Sequence, residues 1–357
     1  MNQIARIREE LNKRGLDALL ITDEKNQRYA AGFPFTDGAV LVGKEKAFLI
    51  TDSRYIEAAE QQAEGAQVRL FDKAHPLTMK LKEALGEIGA EKIAAEDQSL
   101  SHAAFLGWEK KLSTKLEGVG DLFAVLRAVK TEEEIASMIQ AQRISEAALD
   151  EVLHIIKPGM TEREVAAELV YRMLRHGSEG NSFDPIVVTG AKTSMPHGVP
   201  GDKVIQKGDF VTMDFGCLKD GYCSDMTRTV AVGEATDEMK NVYYTVLKAQ
   251  LAGIAAARAG VLGKDIDGAA RKVIADAGYG EYFGHGFGHC LGLEIHEPPF
   301  AGPTGNMPLP AGSLSSAEPG IYLPGRFGVR IEDVMILRED GAEVITRAPK
   351  ELLVLEN

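Results

Sequence analysis

The sequence feature that most constrains the fold is a β-hairpin signal at Asp220-Gly221, inside the stretch GDFVTMDFGCLKDGYCSDMTRTV. Two strand-like runs flank this dipeptide, and Asp-Gly is a preferred two-residue loop between antiparallel strands. With these two residues as the loop, the strands pair so that Asp214 lies opposite Thr227. The sequence therefore predicts an antiparallel hairpin with a defined register.

This register brings two carboxylates together. Because side chains alternate between the two faces of a strand, Asp225 lies on the same face as Thr227 and hence on that of Asp214. Two like charges this close disfavour each other unless a cation lies between them, and a divalent metal ion is the usual solution. An Asp pair across a hairpin is more often a solvated face, so a metal site needs support from other segments.

A second segment concentrates histidine. Three of the eight histidines, His285, His289 and His296, lie in GHGFGHCLGLEIHEPP. The frequent glycines disfavour a helix and indicate a strand that lines a cleft. Imidazole binds borderline metals and transfers protons near neutral pH, so this strand is a candidate part of a catalytic or metal site.

A second carboxylate pair lies in AEPGIYLPGRFGVRIEDV, where Glu318 and Glu332 flank a turn at Pro324-Gly325. A three-residue loop centred on Gly325 pairs the two glutamates directly and makes them face the same way. A two-residue loop would put them on opposite faces. The residues alone leave both registers open.

At 357 residues the chain is long enough for one large and one smaller domain. Its first part alternates helical and strand patterns, which is typical of a small α/β domain. The predicted elements are a helix to about Asn12, strands at Ala18 to Thr22, Ala39 to Val42 and Lys46 to Thr51, and then helix, strand and helix to about Leu112. A capping box at Thr131 and Glu134 begins a new long helix. We therefore expect domains at residues 1–124 and 125–357.

The second domain repeats weakly within itself. The segment KPGMTEREVAAELVYRMLRHG, residues 157–177, aligns with RAGVLGKDIDGAARKVIADAG, residues 258–278, and matches a glycine near each end. Both copies follow a long helical pattern and precede strands. This pattern predicts two halves related by a pseudo-two-fold axis, although two ordinary helices bounded by glycines are the alternative.

Together these strings closely resemble a known family. MDFG followed by SDMTRT, then HGFGHCLGLEIHE, EPGIY and GVRIED, resemble in order and spacing the pita-bread metallopeptidases, which include methionine aminopeptidase, aminopeptidase P and prolidase. GLDALLITDEKNQRYAAGF and TDSRYIEAA resemble the creatinase-like N-terminal domain of aminopeptidase P and prolidase. The resemblance implies an α/β N-terminal domain and an α+β pita-bread (creatinase/aminopeptidase) catalytic domain with pseudo-two-fold symmetry.

The resemblance also implies a dinuclear metal site. By motif, Asp214 chelates one metal ion, Asp225 and Glu332 bridge both ions, and His289 and Glu318 bind the other. A hydroxide that bridges the ions is expected to attack the scissile carbonyl, with Glu318 taking its proton. Metal ions lower the pKa of bound water and stabilise a developing oxyanion. Two Mn(II) ions best suit this carboxylate-rich set, with Co(II) and Zn(II) as alternatives.

Further cleft residues follow from the same resemblance. His197, in TSMPHGVP, matches a histidine on the leaving-group side, and His296 matches one that contacts the substrate carbonyl. Their implied roles are proton delivery or oxyanion support. His285 and Arg330 match further cleft residues, which either bind substrate or orient metal ligands such as His289.

Two segments depart from the family pattern. Ser315, Ser316 and Ala317 replace a β-branched run, which predicts a looser strand before the EPG motif. Lys192 stands where relatives often have Asn, which predicts a different charge at the cleft rim near His197. Neither departure affects an expected ligand.

The leading functional prediction is a metal-dependent exopeptidase that hydrolyses the bond between an N-terminal residue and a following proline. Xaa-Pro dipeptidase and Xaa-Pro aminopeptidase both fit. The alternatives are a non-catalytic pita-bread binding module and a metal-free creatinase-like amidinohydrolase. Relatives of those kinds lose ligands, whereas this chain keeps all five, which argues against both alternatives.

Composition limits the partners. The chain has 40 basic and 53 acidic residues, a formal net charge of -13, which disfavours nucleic acid and anionic membrane surfaces. Its apolar runs are strand-sized and too short to span a membrane. We expect a small peptide with proline at the second position as the partner. The resemblance further implies a homodimer.

The cysteines and the first residues bear on the compartment. Three cysteines are an odd number in no zinc-finger spacing, and the hairpin register puts Cys217 and Cys223 on opposite faces. Cys290, beside His289, is expected to pack in the interior. The first residues, MNQIARIREELNKRG, lack the apolar core of a signal peptide. We therefore expect a protein of the reducing cytoplasm.

Overall fold

The computed structural model describes residues 2–356, and the chain divides into two compact units, Met1–Leu126 and Arg127–Asn357. The expected boundary after residue 124 lies two residues before this division. The helices are α1 (Gln3–Arg14), α2 (Glu24–Ala31), α3 (Ile56–Gln62), α4 (Leu77–Ile88), α5 (His102–Leu112), α6 (Leu122–Ala128), α7 (Glu132–Leu153), α8 (Glu162–Arg175), α9 (Asp237–Ala256) and α10 (Gly263–Asp276). Short 3₁₀ turns cover Gly190–Ser194 and Gly280–Tyr282.

Strands make up most of the remaining regular structure. In the first unit they are β1 (Ala18–Ile21), β2 (Gly38–Gly43), β3 (Ala47–Thr51), β4 (Gln67–Leu70), β5 (Ile93–Ala95) and β6 (Leu116–Gly118). In the second they are β7 (Ile186–Thr189), β8 (Phe210–Phe215), β9 (Leu218–Lys219), β10 (Tyr222–Cys223), β11 (Met226–Val232), β12 (Gly288–Cys290), β13 (Glu297–Ala301), β14 (Leu314–Ala317), β15 (Gly320–Leu323), β16 (Phe327–Arg330), β17 (Asp333–Arg338), β18 (Gly341–Val344) and β19 (Val354–Leu355).

The first unit is built on a six-stranded mixed sheet in the order β4-β3-β2-β1-β5-β6. The three predicted strands are present as β1, β2 and β3, and they pair antiparallel. Helix α2 was not predicted, and beside Tyr29 and two alanines it buries two polar side chains, Asn26 and Gln27. Asn26 donates to the buried carboxylate of Glu96 at 2.7 Å. Between β3 and the end of α5 at Leu112 the structure has one helix and one strand more than the predicted helix, strand and helix, and the three-residue strand β6 was also missed.

The second unit contains two halves with the same order of elements. Helices α7 and α8 precede the sheet β7-β8-β11, and helices α9 and α10 precede the sheet segment β12-β14-β17. Helices α8 and α10 each span 14 residues and begin and end at positions that the predicted repeat aligns. The glycines after them, Gly177 and Gly278, both have positive φ, at 96° and 86°. The predicted pseudo-two-fold architecture is confirmed.

The predicted register of the first hairpin is also confirmed. Lys219 pairs with Tyr222, and Asp214 pairs with Thr227. The strands β8 and β11 that carry this pairing are buried along their whole length. The hairpin therefore holds its acidic residues at a fixed place inside the unit.

The second hairpin has the three-residue loop. Leu323 pairs with Phe327 across a loop centred on Gly325, whose φ is +72°. The pairing of Ala317 with Asp333, between β14 and β17, continues the same register. Glu318 and Glu332 therefore lie opposite each other between two paired segments.

The expectation of a looser strand before the EPG motif was wrong. Ser315, Ser316 and Ala317 form most of β14, which is fully buried and pairs regularly with β17. Small side chains suit this position because β12 lies very close: a Cβ atom added to Gly288 would stand 2.1 Å from the Ser316 carbonyl oxygen. The absence of a Cβ at Gly288 thus allows tight packing of the two strands.

Candidate metal centre

The five predicted metal ligands come from five strands or their ends. Asp214 lies in β8, Asp225 directly precedes β11, and His289 lies in β12. Glu318 directly follows β14, and Glu332 directly precedes β17. The first half of the unit thus contributes the carboxylates of Asp214 and Asp225, and the second half contributes those of Glu318 and Glu332.

Three of these residues form a compact triad. One potential ligand atom each from Asp225, His289 and Glu332 lies within 4.8 Å of the others. All three side chains are buried. Glu318 extends the group, because its Oε1 lies 3.2 Å from His289 Nε2, while Asp225 Oδ2 lies 3.5 Å from the same nitrogen.

Asp214 lies beside this triad and is held by an arginine. Its Oδ2 accepts from Arg330 Nη2 at 2.6 Å, and both side chains are buried. Its Oδ1 is buried without a hydrogen-bond partner, as is Oε1 of Glu332. Buried carboxylate oxygens normally have partners, so these two oxygens fit a bound cation.

The electrostatics of the carboxylates point the same way. Burial, and then the charge of Asp214, raise the pKa of Asp225 well above its usual value. Burial and the charge of Asp225 do the same to the pKa of Glu332. The cluster therefore carries more negative charge than its neighbours neutralise, and divalent cations would relieve this repulsion.

The pKa values of His289 and Glu318 shift the other way, toward the charged form of each side chain. Burial alone would lower the pKa of His289, but the hydrogen bond and charge of Glu318 outweigh it and raise this pKa to about 9. For Glu318, burial alone would raise the pKa, but the hydrogen bond and charge of His289 lower it to about 2. A positive charge is thus strongly favoured at the position of the His289 ring, between acidic side chains.

The ring of His289 is oriented for metal binding. Its Nδ1 lies 3.1 Å from the carbonyl oxygen of Cys290, which only accepts hydrogen bonds. Nδ1 therefore carries a proton, and Nε2 faces Asp225 and Glu318. A histidine that donates from one nitrogen to a carbonyl and presents the other is the usual form of a metal ligand.

Arg330 and His285 belong to one buried network. The hydroxyl of Tyr322 accepts from Arg330 Nη1 at 2.9 Å and lies 2.8 Å from His285 Nε2. His285 Nδ1 lies 2.8 Å from the Gly286 carbonyl oxygen. Because that oxygen only accepts, Nδ1 carries a proton, and burial lowers the pKa of His285. The network connects His285 through Arg330 to Asp214.

His197 and His296 border the same cleft. The cleft has a volume of about 360 Å³, and its lining includes both histidines together with Asp214, His289 and Glu318. The His296 ring packs edge-on against His289, with 4.3 Å between ring centroids. His197 is exposed at the rim. The structure thus brings all the sequence-predicted site residues to one cleft or its wall.

Two hydroxyl residues that bond the expected metal ligands were not predicted from the sequence. Ser316 Oγ accepts from the His289 backbone N–H at 3.0 Å and donates to Glu318 Oε1 at 3.0 Å. Thr227 Oγ1 donates to Glu332 Oε2 at 2.7 Å. The hairpin register placed Thr227 on the acidic face and could have identified it, whereas Ser316 had no signal in the sequence.

The expected change of charge at the rim is not present. Lys192 Nζ lies 2.6 Å from Oε2 of the buried Glu162, which neutralises the ammonium. Glu162 begins α8, more than twenty residues earlier in the chain, so the pair was not visible from the local string. Within residues 2–356, none of the helices combines the length and the apolar character that crossing a membrane requires.

The two-fold repeated α+β unit brings buried Asp, Glu and His side chains together at a cleft, an arrangement typical of metal-dependent hydrolases. Residues 136–339 match the model of metallopeptidase family M24, and residues 3–129 match that of the creatinase/prolidase N-terminal domain. The chain therefore belongs to metallopeptidase family M24 and has the pita-bread fold of its Xaa-Pro dipeptidase relatives.

Individual relatives agree over nearly the whole length. A solved Xaa-Pro dipeptidase from Bacillus anthracis is 42% identical, with a TM-score of 0.94 and 99% of each chain covered. A solved X-Pro aminopeptidase from Thermotoga maritima is 39% identical, with a TM-score of 0.92, and covers 97% of this chain and 99% of its own. An Xaa-Pro dipeptidase from Pyrococcus horikoshii is 35% identical over 99% of each chain. The family resemblance seen in the motifs is confirmed.

Proposed function

We propose that this metallopeptidase is an exopeptidase that hydrolyses the bond between an N-terminal residue and a following proline. The observation that carries the proposal is the buried convergence of Asp225, His289 and Glu332, with Glu318 against the His289 ring. Relatives similar over nearly the whole chain are named Xaa-Pro dipeptidase or X-Pro aminopeptidase, which supports proline at the second position.

Two divalent cations fit the donor set. Asp214, Asp225, His289, Glu318 and Glu332 would hold them, and four carboxylates would balance their charge. When bound, such ions lower the pKa of a water molecule and polarise the scissile carbonyl. The oxygen-rich set with one imidazole supports Mn(II), with Co(II) and Zn(II) as alternatives.

The remaining side chains position groups and move protons. Glu318 is the proposed proton acceptor, and the Ser316 hydroxyl fixes its Oε1 at 3.0 Å. His296, beside His289, is placed to support the developing charge on the substrate carbonyl. His197, at the rim, would deliver a proton to the leaving nitrogen. Arg330 holds Asp214, and His285 and Arg330 line the cleft that binds substrate.

The charge of the cleft bears on peptide length. A dipeptide brings its free carboxylate close to the scissile bond and needs a cation there. Among the described residues that line this cleft, Arg330 supplies the sole guanidinium, there is no lysine, and Arg330 already pairs with Asp214. This favours peptides of three or more residues, and thus an Xaa-Pro aminopeptidase over a strict dipeptidase.

The test is an assay of metal-stripped protein, reconstituted with Mn(II), on Ala-Pro, Ala-Pro-Ala and Ala-Ala-Ala. We expect turnover of Ala-Pro-Ala above that of Ala-Pro, and little of Ala-Ala-Ala. Cleavage restricted to Ala-Pro would make the protein a dipeptidase. Failure on all three peptides would reject the proposed activity and favour the binding-module or amidinohydrolase alternative.

We also propose a homodimer in the cytoplasm. The sequence resemblance supports the homodimer, and three free, buried cysteines suit a reducing compartment. Sedimentation at micromolar concentration tests the assembly, since a monomeric mass would reject it.

A further inference from the structure

The segment that carries His197, residues 190–200, follows β7, and its tip buries little apolar surface. Its 3₁₀ turn ends at Ser194, and the tip that follows exposes Met195 by 58% and Val199 by 77%. His197 itself is exposed. Since the tip buries little apolar surface, its position depends mainly on polar contacts.

The base of the segment is fixed by one buried carboxylate. Glu162, at the start of α8, is fully buried. Its Oε1 accepts from the backbone N–H of Thr189 at 2.9 Å, and its Oε2 accepts from that of Gly201 at 3.0 Å. These two residues lie immediately before and after the segment, so Glu162 holds its two ends together.

Lys192 connects this base to the tip. Its ammonium donates to Glu162 Oε2 at 2.6 Å and to the Val199 carbonyl oxygen at 2.6 Å. His197 lies between Lys192 and Val199 in the chain, so this bridge closes a short loop around it. The tip has two further polar contacts: Arg330 Nη1 donates to the Pro196 carbonyl oxygen at a longer 3.3 Å, and the Met195 backbone N–H donates to the Lys192 carbonyl oxygen at 2.9 Å.

We propose that Lys192 is a positioning residue that holds His197 at the cleft through its bridge between Glu162 and Val199. The role of His197 in this inference rests on the proposed function. A charge-assisted bond to a buried carboxylate is stronger than a neutral one, so the bridge restricts the tip more than the Arg330 contact does. Asparagine at position 192 has too short a side chain to reach both acceptors.

The test compares the full chain, loaded with Mn(II), as wild type, Lys192→Met, Lys192→Asn and Lys192→Arg. Lys203→Met is the matched control, because Lys203 Nζ donates to the Thr189 carbonyl oxygen at 2.6 Å, at the base of the same segment and away from its tip. Hydrogen exchange of residues 194–200 measures the tip, and hydrolysis of Ala-Pro-Ala measures catalysis. Thermal unfolding verifies that each variant is folded.

We expect faster exchange at the tip in Lys192→Met and Lys192→Asn, wild-type exchange in Lys203→Met, and recovery in Lys192→Arg, whose guanidinium has donors for both acceptors. The kcat should fall roughly 10- to 100-fold with little change in KM, because misplaced proton delivery affects the transition state. In a His197→Ala background, Lys192→Met should then have no further effect on kcat.

Unchanged exchange at the tip in folded Lys192→Met and Lys192→Asn would overturn the proposal. A fall in kcat of the same size in the His197→Ala background would also overturn it, since Lys192 would then act on something other than His197. If the wild type hydrolyses none of the peptides, the proposed function fails, while the exchange measurement still decides whether Lys192 holds the tip.

Discussion

Replacing Asp225 by Asn tests the metal centre most directly. The amide has nearly the shape of the carboxylate but lacks its charge, at a side chain that is 4% exposed and close to Asp214 and Glu332. In metal-free protein the substitution removes repulsion between buried carboxylates, so we expect no loss of thermal stability. In metal-loaded protein it removes a ligand, so we expect hydrolysis to be lost.

The size of the effect follows from mass action. At a metal concentration 100 times the dissociation constant, binding stabilises a protein by about 2.7 kcal/mol. For a unit of this size that corresponds to a rise in Tm of roughly 5–10 °C. If the loss of Asp225 weakens binding about 100-fold, the gain at the same concentration falls to about 0.4 kcal/mol, or roughly 1 °C.

Scanning calorimetry with and without Mn(II), alongside peptide hydrolysis, provides the measurement. Asp220→Asn is the matched control, because it makes the same chemical change at the exposed tip of the same hairpin, where the side chain is 51% exposed. The control should keep the full metal-induced shift. Wild-type activity together with a wild-type shift in Asp225→Asn would refute the proposed ligand set.

Three further predictions concern pH, reactivity and packing. Burial raises the pKa of Glu96 to about 7, above its ordinary value of 4.5, so the free energy of unfolding should fall by about 3 kcal/mol as pH rises from 4.5 through 7. Glu96→Gln should remove this pH dependence in urea titrations at pH 5 and 8, and an unchanged dependence of stability on pH in the variant would contradict the prediction. Burial raises the pKa of Cys290 to about 12, so a disulfide reagent at pH 8 should modify it only after unfolding; rapid labelling of native protein would disprove this. Gly288→Ala should abolish hydrolysis, because its Cβ would approach the Ser316 carbonyl oxygen to 2.1 Å, whereas Gly86→Ala, in open space on α4, should not; an active Gly288→Ala enzyme would show that β12 and β14 can separate freely.

Local turn chemistry explains why much of the fold was predictable. A two-residue Asp-Gly loop sets the pairing of Asp214 with Thr227, and a left-handed glycine at Gly325 sets that of the second hairpin. Once a register is set, strand alternation assigns every side chain to a face. The carboxylate pairs could therefore be located from sequence, although the second register needed the structure to decide it.

Elements that depend on distant polar partners were not predictable. In helix α2 the buried amide of Asn26 donates to Glu96, which lies in a later part of the first unit. Lys192 is neutralised by Glu162 rather than adding charge to the rim. Ser316 looked like a weak strand residue, yet it bonds both His289 and Glu318. Apart from Glu318, each partner is remote in sequence, so no local pattern reports it.

The histidines show most clearly which features follow from the sequence and which depend on the tertiary structure. By itself the sequence determined that Asp214 and Asp225 share one face, because hairpin register is a local property of the chain, whereas their convergence with the histidines was implied by the family resemblance. Only the tertiary structure decided that His289 presents Nε2 to Asp225 and Glu318, that His285 faces Tyr322, and that His296 packs on the His289 ring. The physical reason is that a ring's orientation depends on hydrogen bonds and packing from strands far apart in the chain.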